Sequence, residues 1–376
     1  MISRKIVVVP PSKTMEVNSK AKEMIKKGID VVNLTAGEPD FKTPEPILEE
    51  AKKAMDEGYT KYTDARGIVE LREKIAEFYG ERYEVRISPD EVVITNGAKQ
   101  GIFNALFSIL DDGDEVIILT PAWVSYIPQV LLCGGKPVKV ETSFEDGFIP
   151  DVDEIRKNIS ERTKAIIINS PNNPTGAVYP PEVLQGISKL ADKYGLFVLS
   201  DEIYSELVYE GVYHSTFEFF DRDRLIVVNG FSKSHAMTGW RIGYVIAPRK
   251  ISEAIAKVQS HTTSNVNSIT QRAVLKAFEI DVSYMREEFR RRKDVVSEGL
   301  KRAGLDFIEP KGAFYFFFKT PYDDVIFCND LLLEKKVALV PGSSFEYPGF
   351  ARLSFAASLD TLEEGMRRIY EFLKGK

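Results

Sequence analysis

The chain has 376 residues, 44% hydrophobic and 28% charged; such proportions belong to globular proteins and exclude a disordered or fibrous chain. Fifty basic against 56 acidic residues give a net charge of −6, so neither nucleic acid nor an anionic membrane is expected as a partner. Two distant cysteines (Cys133, Cys328) and three scattered histidines (His214, His235, His261) argue against a disulfide framework and against a thiolate or imidazole metal site; no metal is expected. The N-terminus, MISRKIVVVPP, has too short an apolar run for a secretory signal, and no 18-residue apolar stretch occurs, so a cytoplasmic protein is expected. Apart from Val31–Leu34, the first 40 or so residues hold no strand-like run. Seven short runs follow: Glu91–Thr95, Glu115–Leu119, Pro137–Val140, Ala165–Asn169, Phe197–Ser200, Leu225–Asn229 and Ile242–Ala247. Most are continuously apolar, as buried parallel strands are. Ala98–Leu110 and Pro181–Tyr194 read as helices between them, the second opened by proline and closed by Gly195. The alternation predicts an α/β domain with a mostly parallel sheet.

The pattern changes after about residue 281. A charged helix over Val282–Ala303 precedes the aromatic run Ala313–Lys319. A helix near Asn329–Lys335, strands at Val337–Val340 and Ala351–Phe355, and a last helix over Leu362–Lys374 complete the chain. These segments predict a smaller α+β domain, with which the N-terminal residues should pack. The expected division is 45–280 for a large cofactor-binding domain, and 1–44 with 281–376 for the small one, across a broad interface.

Several chemistries lack their sequence marks. No G-x-G-x-x-G follows a strand, Gly134-Gly135-Lys136 runs into Pro137 rather than Ser or Thr, and no G-x-S-x-G is present. Dinucleotide, P-loop and α/β-hydrolase readings are therefore unsupported. What does stand out is a set of polar groups at the ends of successive strands. Asn169-Ser-Pro-Asn-Asn-Pro-Thr-Gly176 follows one, Asp201-Glu-Ile-Tyr204 the next, and Gly230-Phe-Ser-Lys233 the third. Taken singly they read as a turn, a helix cap and a solvated lysine. In an open parallel sheet, however, ligands bind beyond the carboxyl ends of the strands, so the three are expected to converge on one site.

Further motifs lie at Ala36–Phe41 (AGEPDF), Lys61–Gly67 (KYTDARG), Asn96–Gly101 (NGAKQG), Pro121–Trp123 (PAW), Ser232–Gly243 (SKSHAMTGWRIG) and Ala351–Phe355 (ARLSF). Taken together, and over nearly its whole length, the chain resembles the class I pyridoxal-phosphate-dependent aminotransferases of fold type I. The bacterial and archaeal aspartate aminotransferases are the branch it is most similar to. The resemblance implies a seven-stranded, mostly parallel sheet flanked by helices plus a smaller α+β domain, pyridoxal 5'-phosphate as cofactor, and amino acid and 2-oxo acid substrates. It implies a ping-pong exchange between aspartate, or a related amino acid, and 2-oxoglutarate.

Residue by residue, Lys233 matches the family's Schiff-base lysine, an amine that burial and nearby cations can make nucleophilic. Asp201 matches the carboxylate that pairs with the cofactor's ring nitrogen, and Tyr204 and Asn173 match the donors to its ring hydroxyl oxygen. Trp123 matches the stacking aromatic. For the phosphate, Gly97 and Ala98 open a helix, and Ser232 and Arg241 match the serine and arginine that bind it. Many relatives carry another serine where this chain has Gly230. Tyr62 matches a tyrosine that reaches the neighbouring subunit's phosphate, which implies a homodimer with shared active sites. Arg352 matches the arginine that holds the substrate's α-carboxylate, and Gly37 a glycine whose N–H meets the same group. Lys99 matches the lysine with which the aspartate branch meets a distal carboxylate. Pro11–Thr14 (PSKT) resembles members that also accept prephenate, with Lys13 then meeting a second carboxylate. Aromatic amino acid transfer is an alternative within the family. A lyase on the same fold is another. A ligand-sensing domain fused to a DNA-binding module ranks last, since only about 40 residues precede AGEPDF.

Overall fold

The computed structural model describes residues 2–7, 9 and 13–375, with backbone alone for 4, 5 and 13–18. Twelve strands are formed among them: β1 Val32–Asn33, β2 Val92–Thr95, β3 Glu115–Thr120, β4 Lys136–Glu141, β5 Thr163–Asn169, β6 Phe197–Asp201, β7 Leu225–Gly230, β8 Gly243–Ile246, β9 Tyr315–Lys319, β10 Val337–Ala338, β11 Val340–Pro341 and β12 Phe350–Ser354. The seven runs expected as strands are β2 to β8, and they form one sheet in the order β2-β8-β7-β6-β5-β3-β4. All pairings are parallel except those of β8, which runs antiparallel to both β2 and β7. β4, at the edge, is half-exposed and carries Lys136, Pro137 and Lys139, residues suited to an edge that must not pair further.

The interior strands are apolar on both faces because both are covered. Ile117, Leu119, Ile166, Ile168 and Val227 point into one apolar cluster, with Ile47, Ala51, Ile75, Tyr79, Leu184, Ile187 and Val274. Val116, Ile118, Ala165, Ile167 and Val228 point into the opposite one, with Ile102, Leu106 and Ile255. The helices Glu45–Asp56, Val69–Tyr83, Pro181–Tyr194 and Ser268–Val274 thus cover one face, and Ala98–Ile109 and Arg249–Thr262 the other.

A third cluster gathers Val32, Leu34, Phe289, Phe314, Phe316, Phe318, Phe327, Leu353 and Phe372, and also Ile203, Tyr204 and Leu207 from just beyond β6. Here β11, β12 and β9 form a three-stranded antiparallel sheet, and β1 pairs in parallel with β10. The single strand expected over Val337–Val340 is therefore two. Residues 337–338 turn to β1, residues 340–341 turn to β12, and Leu339 lies between them, a division imposed by a partner from the other end of the chain.

Two helices begin earlier than expected because their caps lie upstream. Asp323 accepts hydrogen bonds from Val325 N and Ile326 N and starts the helix Asp324–Lys335. Ser358 starts Leu359–Lys374 by accepting from Thr361 N. The charged helix occupies Ser283–Arg302. The N-terminal helix Lys13–Lys26, unanticipated in sequence, packs Ala21 against Leu332 and Ala338. No helix among the described residues is long and apolar enough to cross a membrane.

Candidate active site

β5, β6 and β7 are adjacent and parallel, so their carboxyl ends present Asn169, Asp201 and the Gly230–Lys233 loop side by side. β12 brings Arg352 from the other sheet. Together they border a cavity of about 460 Å³. Of the residues expected there, Gly37, Ala98, Lys99, Trp123, Asn173, Asp201, Tyr204, Ser232, Lys233, Arg241 and Arg352 all line it.

Asp201 is buried; its Oδ2 accepts from the Tyr126 hydroxyl at 2.7 Å and its Oδ1 from Ile203 N at 3.2 Å. Burial pushes its pKa up to about 6 against the pull of these donors and of Lys233. The Lys233 Nζ donates to Gly37 O at 2.5 Å. Burial lowers its pKa to about 8, helped by Arg352 and Arg241 and opposed by Glu38 and Asp201. An amine so placed is unprotonated far more often at neutral pH than a solvated one.

Arg352 is 4% exposed. Its guanidinium packs against the rings of Tyr315 (4.3 Å to the centroid) and Phe345 (5.0 Å). Nη1 donates to Asn173 Oδ1 at 3.0 Å and Nη2 to Thr35 O at 2.9 Å, while Nε meets no acceptor. Because Arg352 takes its amide oxygen, Asn173 turns its NH₂ away from that contact. Asn173 N in turn donates to Asn169 Oδ1, and Asn169 Nδ2 to Asp201 O. The Tyr204 hydroxyl lies 2.9 Å from that of Tyr315.

At the other end, no side chain caps the helix Ala98–Ile109, so its first N–H groups are free for an anion. Gly97 (φ 78°) stands behind the Arg241 guanidinium; a Cβ there would meet Nη2 at 2.6 Å, so only glycine leaves that arginine in place. Arg241 is itself fixed by Thr238 O and Asn96 O. Gly230 has a comparable reason: a Cβ would lie 2.8 Å from Gly243 Cα on the adjoining strand, so the serine of many relatives has no room here. Lys99 Nζ sits 5.0 Å from the Trp123 ring centroid. Burial, and then the Arg241 charge, lower its pKa.

Gly97, behind Arg241, is not on the cavity wall, and two further expected residues stand apart. Tyr62 is 88% exposed and does not border the cavity, and the side chain of Lys13 lies outside the described residues, as do Pro11 and Ser12. Conversely, Thr35, Glu38, Tyr126, Asn169 and Tyr315 border the cavity without having been assigned a part. Asn169 had a visible signal, a polar residue ending an apolar strand in register with Asp201. Tyr315 had none, because it lies in a run of aromatics that reads as core. His235 lies outside the cavity; its Nδ1 faces Ser234 Oγ at 2.8 Å and its Nε2 Ala277 O at 3.1 Å, and burial lowers its pKa to about 4.

A family model described as aminotransferase class I and II matches residues 29–369. The chain belongs to this family. It is 55% identical to an aspartate aminotransferase of Thermotoga maritima over the full length of both chains. The identity is 44% to an aspartate/prephenate aminotransferase of Thermus thermophilus, covering 99% of this chain and 98% of that one. Solved structures agree: the Thermotoga enzyme superposes with a TM-score of 0.97 over 99% of this chain and 100% of its own. The Thermus aspartate aminotransferase with maleate superposes at 0.95 over 99% of each. This aminotransferase uses pyridoxal 5'-phosphate, and the donor set fits it. An amine of lowered pKa, a buried carboxylate, an aromatic face and an uncapped helix N-terminus with Arg241 beside it border one cavity.

Proposed function

We propose that this aminotransferase moves the amino group between aspartate and 2-oxoglutarate. The observation that carries the substrate assignment is a pair of cations, Lys99 and Arg352, bordering one cavity, neither in an ion pair with any carboxylate among the described residues. A dicarboxylate supplies an anion to each. The names of the relatives, aspartate and aspartate/prephenate aminotransferase, point the same way.

In this assignment Arg352 binds the α-carboxylate with the N–H groups left free by Asn173 and Thr35, and Gly37 N adds a donor. Lys99 meets the distal carboxylate. Asp201, held by Tyr126, would pair with the cofactor's ring nitrogen and keep it protonated. Tyr204 and the Asn173 NH₂ would donate to the ring hydroxyl oxygen; Gly97, Ala98, Ser232 and Arg241 would hold the phosphate, and Trp123 would cover the ring. Lys233 would hold the cofactor, and its Nζ takes and returns the proton at the substrate's Cα, a task that its lowered pKa matches. The cofactor supplies an electron-withdrawing ring that stabilises the charge left on that carbon.

We further assign a homodimer in which Tyr62 reaches the partner's site, a reading supported by its exposure on the large unit's surface. The division into 45–280 and 1–44 with 281–376 is supported by the sheets, the seven-stranded one lying within 45–280 and the two smaller ones being built from 1–44 and 281–376. Purified holoenzyme mixed with single amino acids tests the substrate assignment. Aspartate and glutamate should bleach the visible band faster than phenylalanine or alanine, with oxo acid formed in equal amount. Faster bleaching by an apolar amino acid would overturn it, and oxo acid without retained amino group would favour a lyase.

A further inference from the structure

Tyr315 touches two members of the site, Arg352 and Tyr204, that come from different sheets or loops of the fold. It is fully buried at the start of β9, opposite Ser354 and two residues from the partner of Arg352 in the β9–β12 register. Its ring lies against the Arg352 guanidinium, 4.3 Å from centroid to Cζ. Its hydroxyl meets the Tyr204 hydroxyl at 2.9 Å. Resting on the roles assigned above to Tyr204 and Arg352, we propose that Tyr315 is a positioning residue that ties them together. Its ring fixes the plane of the carboxylate-binding guanidinium, and its hydroxyl fixes the direction of Tyr204's proton.

The second part follows from counting hydrogens. Two phenols 2.9 Å apart share one hydrogen, and either can donate it. If Tyr204 gives its only hydrogen to the cofactor's ring oxygen, the contact survives only with Tyr315 as donor. Tyr315 is suited to that direction. The Arg352 cation lies against its ring, 4.3 Å from the centroid, and draws its pKa down against the rise caused by burial. A hydroxyl that accepts one hydrogen bond donates the next more strongly. Tyr315 thereby strengthens Tyr204's hold on an anionic ring oxygen without touching it. The ring's contribution is separate: with Phe345 it packs against the guanidinium, which two hydrogen bonds also hold, and so restricts its tilt.

Tyr315→Phe and Tyr315→Leu separate the two contributions, with Tyr204→Phe as the reference. The readouts are the pH titration of the holoenzyme's visible band and the binding of maleate, a dicarboxylate that cannot react. Tyr204→Phe should raise the band's pKa. Tyr315→Phe should raise it by a smaller amount, about half to one pH unit, and leave maleate affinity within about twofold. The double variant should shift no further than Tyr204→Phe alone. Tyr315→Leu should also weaken maleate by about 2- to 30-fold. If Tyr204→Phe moves the band and Tyr315→Phe does not, the proposal fails while the role of Tyr204 stands. If Tyr204→Phe itself leaves the band unmoved, that role fails and takes the hydroxyl's contribution with it. Equal loss of maleate affinity in the Phe and Leu variants would remove the ring's contribution.

Discussion

Replacing Lys99 by methionine removes one charge from the cavity and leaves its bulk. In the structure the ammonium lies 5.0 Å from the Trp123 ring centroid, and no carboxylate pairs with it among the described residues. Burial and Arg241 both disfavour its charged form, so an anionic ligand relieves a standing penalty. A hydrogen bond to a charged group contributes roughly 1.5–3 kcal/mol, and 1.4 kcal/mol is about tenfold. Lys99→Met should therefore lower kcat/KM for aspartate and glutamate by about 10- to 150-fold. Phenylalanine and alanine never used the contact and should be spared. The assay is single-turnover bleaching of the visible band over a concentration series of each amino acid. Equal losses on acidic and apolar amino acids would instead make Lys99 a structural support for Trp123, with the acidic side chain read elsewhere.

Asp201→Asn should fold, since Tyr126 can still donate to the amide oxygen, but lose at least about tenfold in kcat; near-normal turnover in a cofactor-loaded variant would remove Asp201 from the chemistry. In the apoenzyme, the folded pKa of Lys233 is depressed from 10.5 to about 8. The unfolded chain then holds more protons between those values, and stability tied to this group rises with pH across that window. Measured by urea unfolding against Lys233→Met, wild type should gain up to about 3 kcal/mol between pH 8 and 10.5; a constant difference would contradict the partly buried, cation-flanked amine. Mixing inactive Tyr62 and Lys233 variants places both lesions in one site of the heterodimer and leaves the other whole, so activity should return on subunit exchange. No recovery despite exchange would place Tyr62's action within its own subunit.

The large sheet was legible because its strands obey local rules. Runs such as Ala-Ile-Ile-Ile-Asn are apolar throughout only where both faces are covered, and all seven proved to be strands of one sheet. Edge strand β4 was readable despite Pro137, which fits an edge. The C-terminal region was read less well because long-range partners decide it: β1 takes residues 337–338 and β12 takes 340–341, and nothing local marks the break at Leu339. The site divides in the same way. Lys233, Asp201, Asn173 and Arg352 stand in motifs with polar residues at strand ends or amid apolar neighbours. Tyr126 and Tyr315 are placed by packing, and an aromatic among aromatics carries no local mark of a hydroxyl that faces a partner. Gly230 was legible as a departure from the pattern, but its cause, the close approach of Gly243, exists only in three dimensions.

Every role assigned in this cavity depends on its holding the cofactor on Lys233. Borohydride reduction of the holoenzyme followed by peptide mapping tests it directly. A pyridoxyl group on Lys233, in the peptide spanning Ser232–Arg241, is the predicted result. A pyridoxyl group on any other lysine, Lys99 included, would contradict the assignment of every residue placed around it.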